Sequence, residues 1–367
     1  MRESVLAIMV LLWVLGQSAR TQDNDTHDSI HRQSVDAMKR LVDILETIKD
    51  KPTADVARPK LREVGDTYLD LKKRADELGK PSKELDAQLQ QKYGERFEAL
   101  TQKAIDEAAR VQKVEGGPEV LQISIVAACY STRADKWLAK GEYDRAIRDF
   151  DEAIRIDPKF TRIFHQRGGV WYLKREFDKA IKDYDEAIRL DPTAAFVFRL
   201  RGGAWLAKRE FDKAIKDYDE AIRLNPKDAI AFQQRGLTWM QKKEFDKTIQ
   251  DCDAAIRLDP NFVHAFSGRG MAWYLKGDHD KAILDFDAVI RLDPKDVASF
   301  LVRGLAWHVK KDYDKAITNY TKAIELNPNL VSAYENRGNA WKAKGDDQRA
   351  DADFAKAREL KAKSGGK

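Results

Sequence analysis

The chain has 367 residues, 35% of them charged and 43% hydrophobic, which suits two or three domains or one elongated array. Its 66 basic and 61 acidic residues leave a net charge of +5, a mixed surface that lacks the concentrated basic patch of a nucleic-acid binder. Two cysteines, Cys129 and Cys252, are too few for a disulfide-stabilised scaffold, so packing has to hold the fold.

The chain starts "MRESVLAIMVLLWVLGQSAR". Arg2 precedes an apolar run at 5–15, and Gly16, Ser18 and Ala19 follow it. This is the pattern of a secretory signal peptide over residues 1–19, its cleavage site left open. The run falls short of the roughly 20 residues that cross a bilayer. Export to a periplasmic or extracellular space is the expectation, without a membrane span. Asn24, in the triplet Asn24-Asp25-Thr26, would accept a glycan only in a eukaryotic secretory route. Residues 20–34 are polar and expected to be mobile; His27 and His31 there have the spacing of helix neighbours, a weak basis for a metal site.

Residues 35–114 carry three apolar stripes at three- and four-residue steps. The first holds Met38, Leu41, Leu45 and Ile48, and Pro52 and Pro59 are expected to punctuate the loop after it. The second runs Leu61, Val64, Tyr68, Leu71, Ala75, Leu78, and "GKPS" at 79–82 ends it. The third holds Leu85, Leu89, Tyr93, Phe97, Leu100, Ala104 and Ala108. The short breaks predict antiparallel neighbours, hence a three-helix bundle or long helical hairpin. No catalytic motif lies in it. "VEGGP" at 114–118 opens a linker and lead-in over 115–126.

Beyond it a period of 34 residues takes over. Pro158, Pro192, Pro226, Pro260, Pro294 and Pro328 keep it, as do Trp137, Trp171, Trp205, Trp239, Trp273, Trp307 and Trp341. Gly168, Gly202, Gly236, Gly270, Gly304 and Gly338 keep it too, with Ala134 in the first copy. The seventeen letters "KREFDKAIKDYDEAIRL" occur at both 174–190 and 208–224. A catalytic centre needs one arrangement of unlike residues; duplicated helices are building blocks.

Each unit reads as two helices. In the unit at Ala195, Phe198, Gly202 and Trp205 share one face, and Gly202 lets the second helix come close because it has no Cβ. Ala214, Tyr218 and Ala221 form the opposing stripe, small residues alternating with a large one so that the helices interdigitate. Pro226 closes the unit. Ile215 and Ile222 lie off the stripe and need a neighbouring copy to cover them.

This order of Gly, aromatic, Ala, aromatic, Ala and Pro resembles the tetratricopeptide repeat. Seven units fit, at 127–160, 161–194, 195–228, 229–262, 263–296, 297–330 and 331–363, with a tail at 364–367. The resemblance implies an all-α fold, an α-solenoid of helix-turn-helix repeats in a right-handed superhelix, preceded here by the small helical bundle. It also implies a protein-interaction scaffold that binds a peptide or protein segment along its concave face, with no cofactor.

The chain departs from the family pattern in ways that carry information. Arg133, Arg167, Arg201, Arg235, Arg269, Arg303 and Arg337 stand where the family usually has Leu. Asp149, Asp183, Asp217, Asp251, Asp285 and Asp353 recur on the second helices, with Asn319 in the sixth. A structural Arg–Asp ladder is the preferred reading; a stripe for an anionic polymer or nucleic acid is the alternative, and nucleic acid is not expected. Cys252 replaces an aromatic and Thr248 an Ala in the fourth unit, read as a repacked core with an inert thiol. In the last unit the inter-unit isoleucines become Asp351 and Arg358, the polar outer face of a terminal repeat.

No zinc spacing, phosphate loop or nucleophile elbow occurs, so no enzyme and no metal is expected. His279 falls at an aromatic core position, like Phe177 and Phe211. A carboxylate clamp for acidic chaperone tails needs a Lys and Asn set that no three consecutive units supply. The resemblance places ligand contacts on the first helices, at positions outside the repeat signature. These are Arg162, His165, Gln166 and Tyr172; Phe196 and Arg199, with Leu206; Gln233, Gln234 and Met240; His264, Met271 and Tyr274; His308; and Glu335, Asn336 and Asn339. The partner is an unidentified protein or peptide. A spacer or self-associating element without a groove ligand is the rival reading.

Overall fold

A computed structural model describes residues 26–78, 81–111, 113–114 and 124–364. The leader at 1–19, Asn24 and most of the 115–126 linker lie outside the described residues. No strand occurs among the described residues, and the chain divides between Pro192 and Thr193 into two compact bodies.

The N-terminal body opens with α1 (His27–Thr47), where Thr26 Oγ1 accepts the Ser29 N–H at 3.2 Å. Residues 27–34, expected to be mobile, are therefore helical. The cap and the buried Ile30 and Val35 extend the apolar stripe upstream of Met38. Helix α2 (Lys51–Leu78) contains both prolines expected in a loop. Asp50 accepts the Thr53 N–H at 3.0 Å, and Thr53 Oγ1 accepts the Lys49 N–H at 2.9 Å, so the loop shrinks to a few residues. Pro52 sits in the first turn, where its missing N–H costs nothing. Pro59 lies inside the helix on its exposed side, held there by buried Ala54, Ala57 and Leu61 on the other.

The third stripe is α3 (Lys83–Leu89), a π-turn over Gln90–Gly94, and α4 (Glu95–Val111). Gly94 is buried in that turn, where a Cβ would run into the Gln90 side chain. Arg110 donates to Ile48 O and Leu45 O at 2.7 Å each, satisfying carbonyls at the end of α1. The bundle does not close its own core. Met38, Leu41, Tyr68 and Ala108 share one apolar cluster with Val126, Cys129, Tyr130, Ile147 and Phe150 of the first repeat. The Cys129 Sγ lies 3.8 Å from Met38 Sδ, and Lys136 pairs with Glu98 at 2.8 Å. Residues 27–111 thus cover the face that repeat one would otherwise expose.

The N-terminal body continues with two helix pairs, α5 (Ser124–Ala139) with α6 (Tyr143–Ile156), and α7 (Thr161–Leu173) with α8 (Phe177–Leu190). The C-terminal body stacks five. They are α9 (Ala195–Ala207) with α10 (Phe211–Leu224), α11 (Ala229–Gln241) with α12 (Phe245–Leu258), and α13 (Val263–Lys276) with α14 (His279–Leu292). Then follow α15 (Val297–Val309) with α16 (Tyr313–Leu326) and α17 (Val331–Ala343) with α18 (Asp347–Ser364). The fold class is an all-α solenoid of helix pairs. Asp351 and Arg358 are exposed on α18 where equivalent isoleucines are covered, as a terminal repeat requires.

Helix pairs close through the repeated glycine. A Cβ on Gly202 would meet Tyr218 Cε1 at 2.8 Å, and one on Gly304 would meet Tyr320 Cε1 at 2.6 Å. The tryptophans are only half-buried; Lys208 and Lys213 stand over the Trp205 ring at 5.5 and 4.4 Å, a roof repeated in the other units. In the fourth repeat Cys252 relieves the crowding, and Thr248 Oγ1 donates to Gly236 O at 3.0 Å across the pair. Both cysteines are free and buried, and burial pushes each thiol up to about 12.

The turn between paired helices forces a left-handed residue. In the fifth repeat Gly277 takes φ 87°, with Asp278 N–H bonded to Trp273 O at 3.0 Å. Arg209, Lys243 and Lys311 hold the same position at φ 61–62° without the freedom of glycine.

A pair of substitutions tests the glycine contact. Gly202→Ala should lower the stability of the C-terminal body by about 2 kcal/mol, because Tyr218 must move. Gly236→Ala, which meets Asp251 Cβ at 3.2 Å and no ring, should stay within about 1 kcal/mol of wild type, helix propensity offsetting the tighter fit. Urea unfolding of the two variants side by side measures the difference; equal losses would refute it.

Candidate binding face on the first helices

Each body has a layer of first helices backed by second helices, and the residues between the layers are not available to a ligand. The arginine lattice lies there. Arg235 Nη2 and Nε donate to Asp251 Oδ1 and Oδ2 at 2.6 and 2.9 Å, a two-pronged pair, and its Nη1 reaches Asp219 of the preceding repeat at 2.6 Å. Arg269 repeats this with Asp285 at 2.6 Å and Asp253 at 2.5 Å. In the N-terminal body Arg167 does so with Asp183 at 2.6 Å and Asp151 at 2.5 Å. Where Asn319 replaces Asp, Arg303 still bonds its Oδ1 at 2.7 Å and also pairs with Asp287. The guanidinium stems pack on aromatic rings, Arg235 on Phe232 at 5.6 Å. The ladder is structural: one arginine ties both helices of its own repeat and the second helix of the repeat before. Burial holds the Asp251 carboxyl above the usual range, with Arg235 opposing.

A second set of inter-repeat pairs runs along the turn edge. Lys242 Nζ lies 2.5 Å from Asp212, and Lys276, Lys310 and Lys344 pair likewise with Asp246, Asp280 and Asp314. These exposed contacts contribute little each, but they neutralise the edge.

The remaining surface is the outer side of the first-helix layer. In the N-terminal body Gln166 spans two first helices; its amide donates to Asp135 Oδ1 at 2.9 Å and Ser131 Oγ donates to its Oε1 at 2.9 Å. Burial pushes the Asp135 carboxyl up to about 6, with Arg162 and Gln166 opposing. Tyr172 is 37% exposed and meets Phe177 edge-on at 5.4 Å. His165 and Arg162 are half-buried on α7.

In the C-terminal body Phe196 is 42% exposed. Arg199 is committed to Asp228 at 3.0 Å, and Asp228 in turn caps α11. Gln233 is buried; Gln234 is half-buried, and its Oε1 has no hydrogen-bond donor. Met240, Met271, Tyr274 and His308 are half-buried in successive first helices, Tyr274 tilted on His279 at 5.3 Å and His308 edge-on to Tyr313 at 5.2 Å. His264 and Asn339 are exposed and Asn336 is half-buried. Glu335 pairs with Lys361 at 2.6 Å. Gly168, Gly202, Gly236, Gly270, Gly304 and Gly338 are buried, while Trp171, Trp205, Trp239, Trp273, Trp307 and Trp341 lie half-buried beneath their lysines.

Several face residues escaped the sequence reading. Leu275 and Val309 are 50% and 51% exposed, next to Tyr274 and His308. Leu200, Leu237, Val302 and Leu305 are half-buried on the same layer. Each looks in isolation like core leucine or valine. Leu200 lies 34 residues from Gln234, Leu237 and Leu305 lie 34 on either side of Met271, and Leu275 and Val309 lie 34 apart, each one residue past Tyr274 or His308; these offsets are the signal that identifies them. Among the described residues no group of three or more His, Cys, Asp and Glu is placed to hold a metal, and no helix is long and apolar enough to cross a membrane.

Family models described as "Tetratricopeptide repeat" match residues 132–195 and 253–297, and residues 195–228; one described as "TPR repeat" matches 304–345. Together they span about half of the chain. No curated protein matches. A solved C-terminal part of a repeat-containing protein from Cytophaga hutchinsonii is similar at 23% identity and TM-score 0.52, over 62% of this chain and 94% of that one. A tetratricopeptide repeat protein from Parabacteroides merdae is similar at 20% identity and TM-score 0.51, over 64% of this chain and 93% of that one. The structure of MamA is 26% identical with TM-score 0.44, over 45% of this chain and 97% of that one. The first two likenesses concern the fold.

Two outcomes follow from the charges. Arg235→Leu should cost about 3 kcal/mol by leaving Asp251 buried without its partner, and adding Asp251→Leu should recover at least about 1 kcal/mol. Urea unfolding of the single and double variants checks this; a stabilising Arg235→Leu would remove the ladder. For Asp135 the folded carboxyl holds its proton more tightly than the unfolded one, so its effect on stability worsens as pH rises from about 4 to about 6. Asp135→Asn should therefore match wild type near pH 4 and exceed it at pH 7, by up to about 3 kcal/mol. A constant gap across that range would contradict the assignment.

Proposed function

The chain belongs to the tetratricopeptide repeat family, and from that premise we propose that it is a protein-interaction scaffold that binds a peptide or protein segment on the first-helix face of its C-terminal body. We also propose that it works outside the cytoplasm, on the strength of the leader-like residues 1–19. The observation that carries the binding reading is the run of half-exposed apolar and aromatic side chains there, with Leu275 and Val309 exposed beside Tyr274 and His308. Exposed apolar surface of this extent costs solvation free energy unless a partner covers it. Binding of an anionic polymer through the arginine lattice is disfavoured, because those guanidiniums are already held by carboxylates in two-pronged pairs.

The test compares capture from an envelope fraction by three full-length baits. These are wild type, a face variant with Met271→Glu and Tyr274→Ala, and a second-helix control with Leu284→Ala. Circular dichroism confirms that all three fold. A partner retained by wild type and control but reduced at least about tenfold by the face variant supports the reading. Equal capture by all three would sink it.

A further inference from the structure

The face has a composition that narrows what can sit on it. In repeats four to six, Leu237, Met271 and Leu305 form one row, and Met240, Tyr274 and His308 the next. All six are half-buried, so each offers side-chain surface to one side of the layer. No Lys, Arg, Asp or Glu stands in either row. Of the charged groups near the ends of the rows, Arg199 is used by Asp228 and Glu335 by Lys361. Beyond His308 the rows turn polar, at Asn339 and Lys342. A charged ligand side chain laid on repeats four to six would lose its hydration and find no counter-charge. An apolar one would gain by covering methionine, leucine and tyrosine surface.

Gln234 Oε1, beside these rows, is buried without a donor. One repeat on stands Gly268, also buried, where a Cβ would meet Cys252 Sγ at 3.2 Å and Leu237 Cδ2 at 3.8 Å, so the packing beneath the rows is closed and the row side chains are the surface a ligand meets.

We infer, on the binding reading above, that the ligand of this face is an uncharged, apolar peptide stretch that seats on repeats four to six. Acidic or basic tails are not its ligands. Affinity then depends weakly on salt, because no ion pair forms across the interface.

The experiment selects short random peptides against the full chain, with counter-selection against a folded Leu237→Glu, Met271→Glu variant. Should that variant fail to fold, Tyr274→Ala with Leu237→Ser replaces it. The expected survivors are peptides whose shared core is apolar and uncharged, with Kd changing less than about threefold from low to high salt. Survivors dominated by acidic or basic residues, or affinity falling more than about tenfold with salt, would overturn the ligand class while leaving the face as the binding site. Recovery of no peptide sensitive to the face substitutions would overturn this inference and the binding reading together.

Discussion

The arginine clamp is the contact on which much of the rest depends. One guanidinium, with Arg235 the clearest case, holds a carboxylate on its own second helix and another on the preceding repeat. Its planar fork suits this double duty, since each prong meets a different oxygen in a fixed direction. A leucine at that position would pack the two helices of one repeat but would not register it against its neighbour. The clamp also explains why a chain with 66 basic residues offers so little unpaired charge between its helices. Charge is consumed by registration, and the first-helix face is left to apolar side chains.

The first and the last repeat each have a face that no further repeat covers, and the chain treats the two differently. At the last repeat, charged residues replace the isoleucines that elsewhere meet a neighbour, and α18 runs longer than the other second helices. At the first repeat the solution is burial: Met38, Tyr68 and Ala108 of the helical bundle enter the same cluster as Cys129 and Phe150. The bundle is therefore part of the array's packing. Three helices of mixed regularity, one with an internal proline and one with a π-turn, fit a surface that a regular repeat would not need to match.

The 34-residue period made the paired helices legible, because Gly, Trp and Pro each mark a different physical event: close approach, packing and chain reversal. The ladder was legible for the same reason, since Arg and Asp recur in step. What the sequence hid lacks a period. Residues 27–34 look polar because Thr26 and Ile30, the cap and the first buried residue, are single positions in a charged stretch. Pro59 reads as a breaker, yet buried alanines on the opposite side hold α2 together. The face was read only in part. Its histidines, amides and aromatics stood out, while Leu237, Leu275, Leu305 and Val309 passed for interior residues.

The fourth repeat links these levels. Its second helix trades an aromatic for Cys252 and an alanine for Thr248, and the hydroxyl bonds the carbonyl of Gly236 across the pair. The family models leave 229–252 between their matched segments. The fold is kept because the clamp remains whole there: Arg235 meets Asp251 and Asp219 in the usual geometry. The knob-and-glycine contact is thus the adjustable element and the ion clamp the fixed one. The same repeat carries Gln234 and lies beside Gly268, where Cys252 Sγ would stand 3.2 Å from a Cβ. Gly268 accommodates that sulfur where the other repeats carry a side chain, as at Leu200 and Val302. The packing between repeats four and five thus closes with a cysteine and a glycine, and one repeat is made unlike its neighbours without breaking their register.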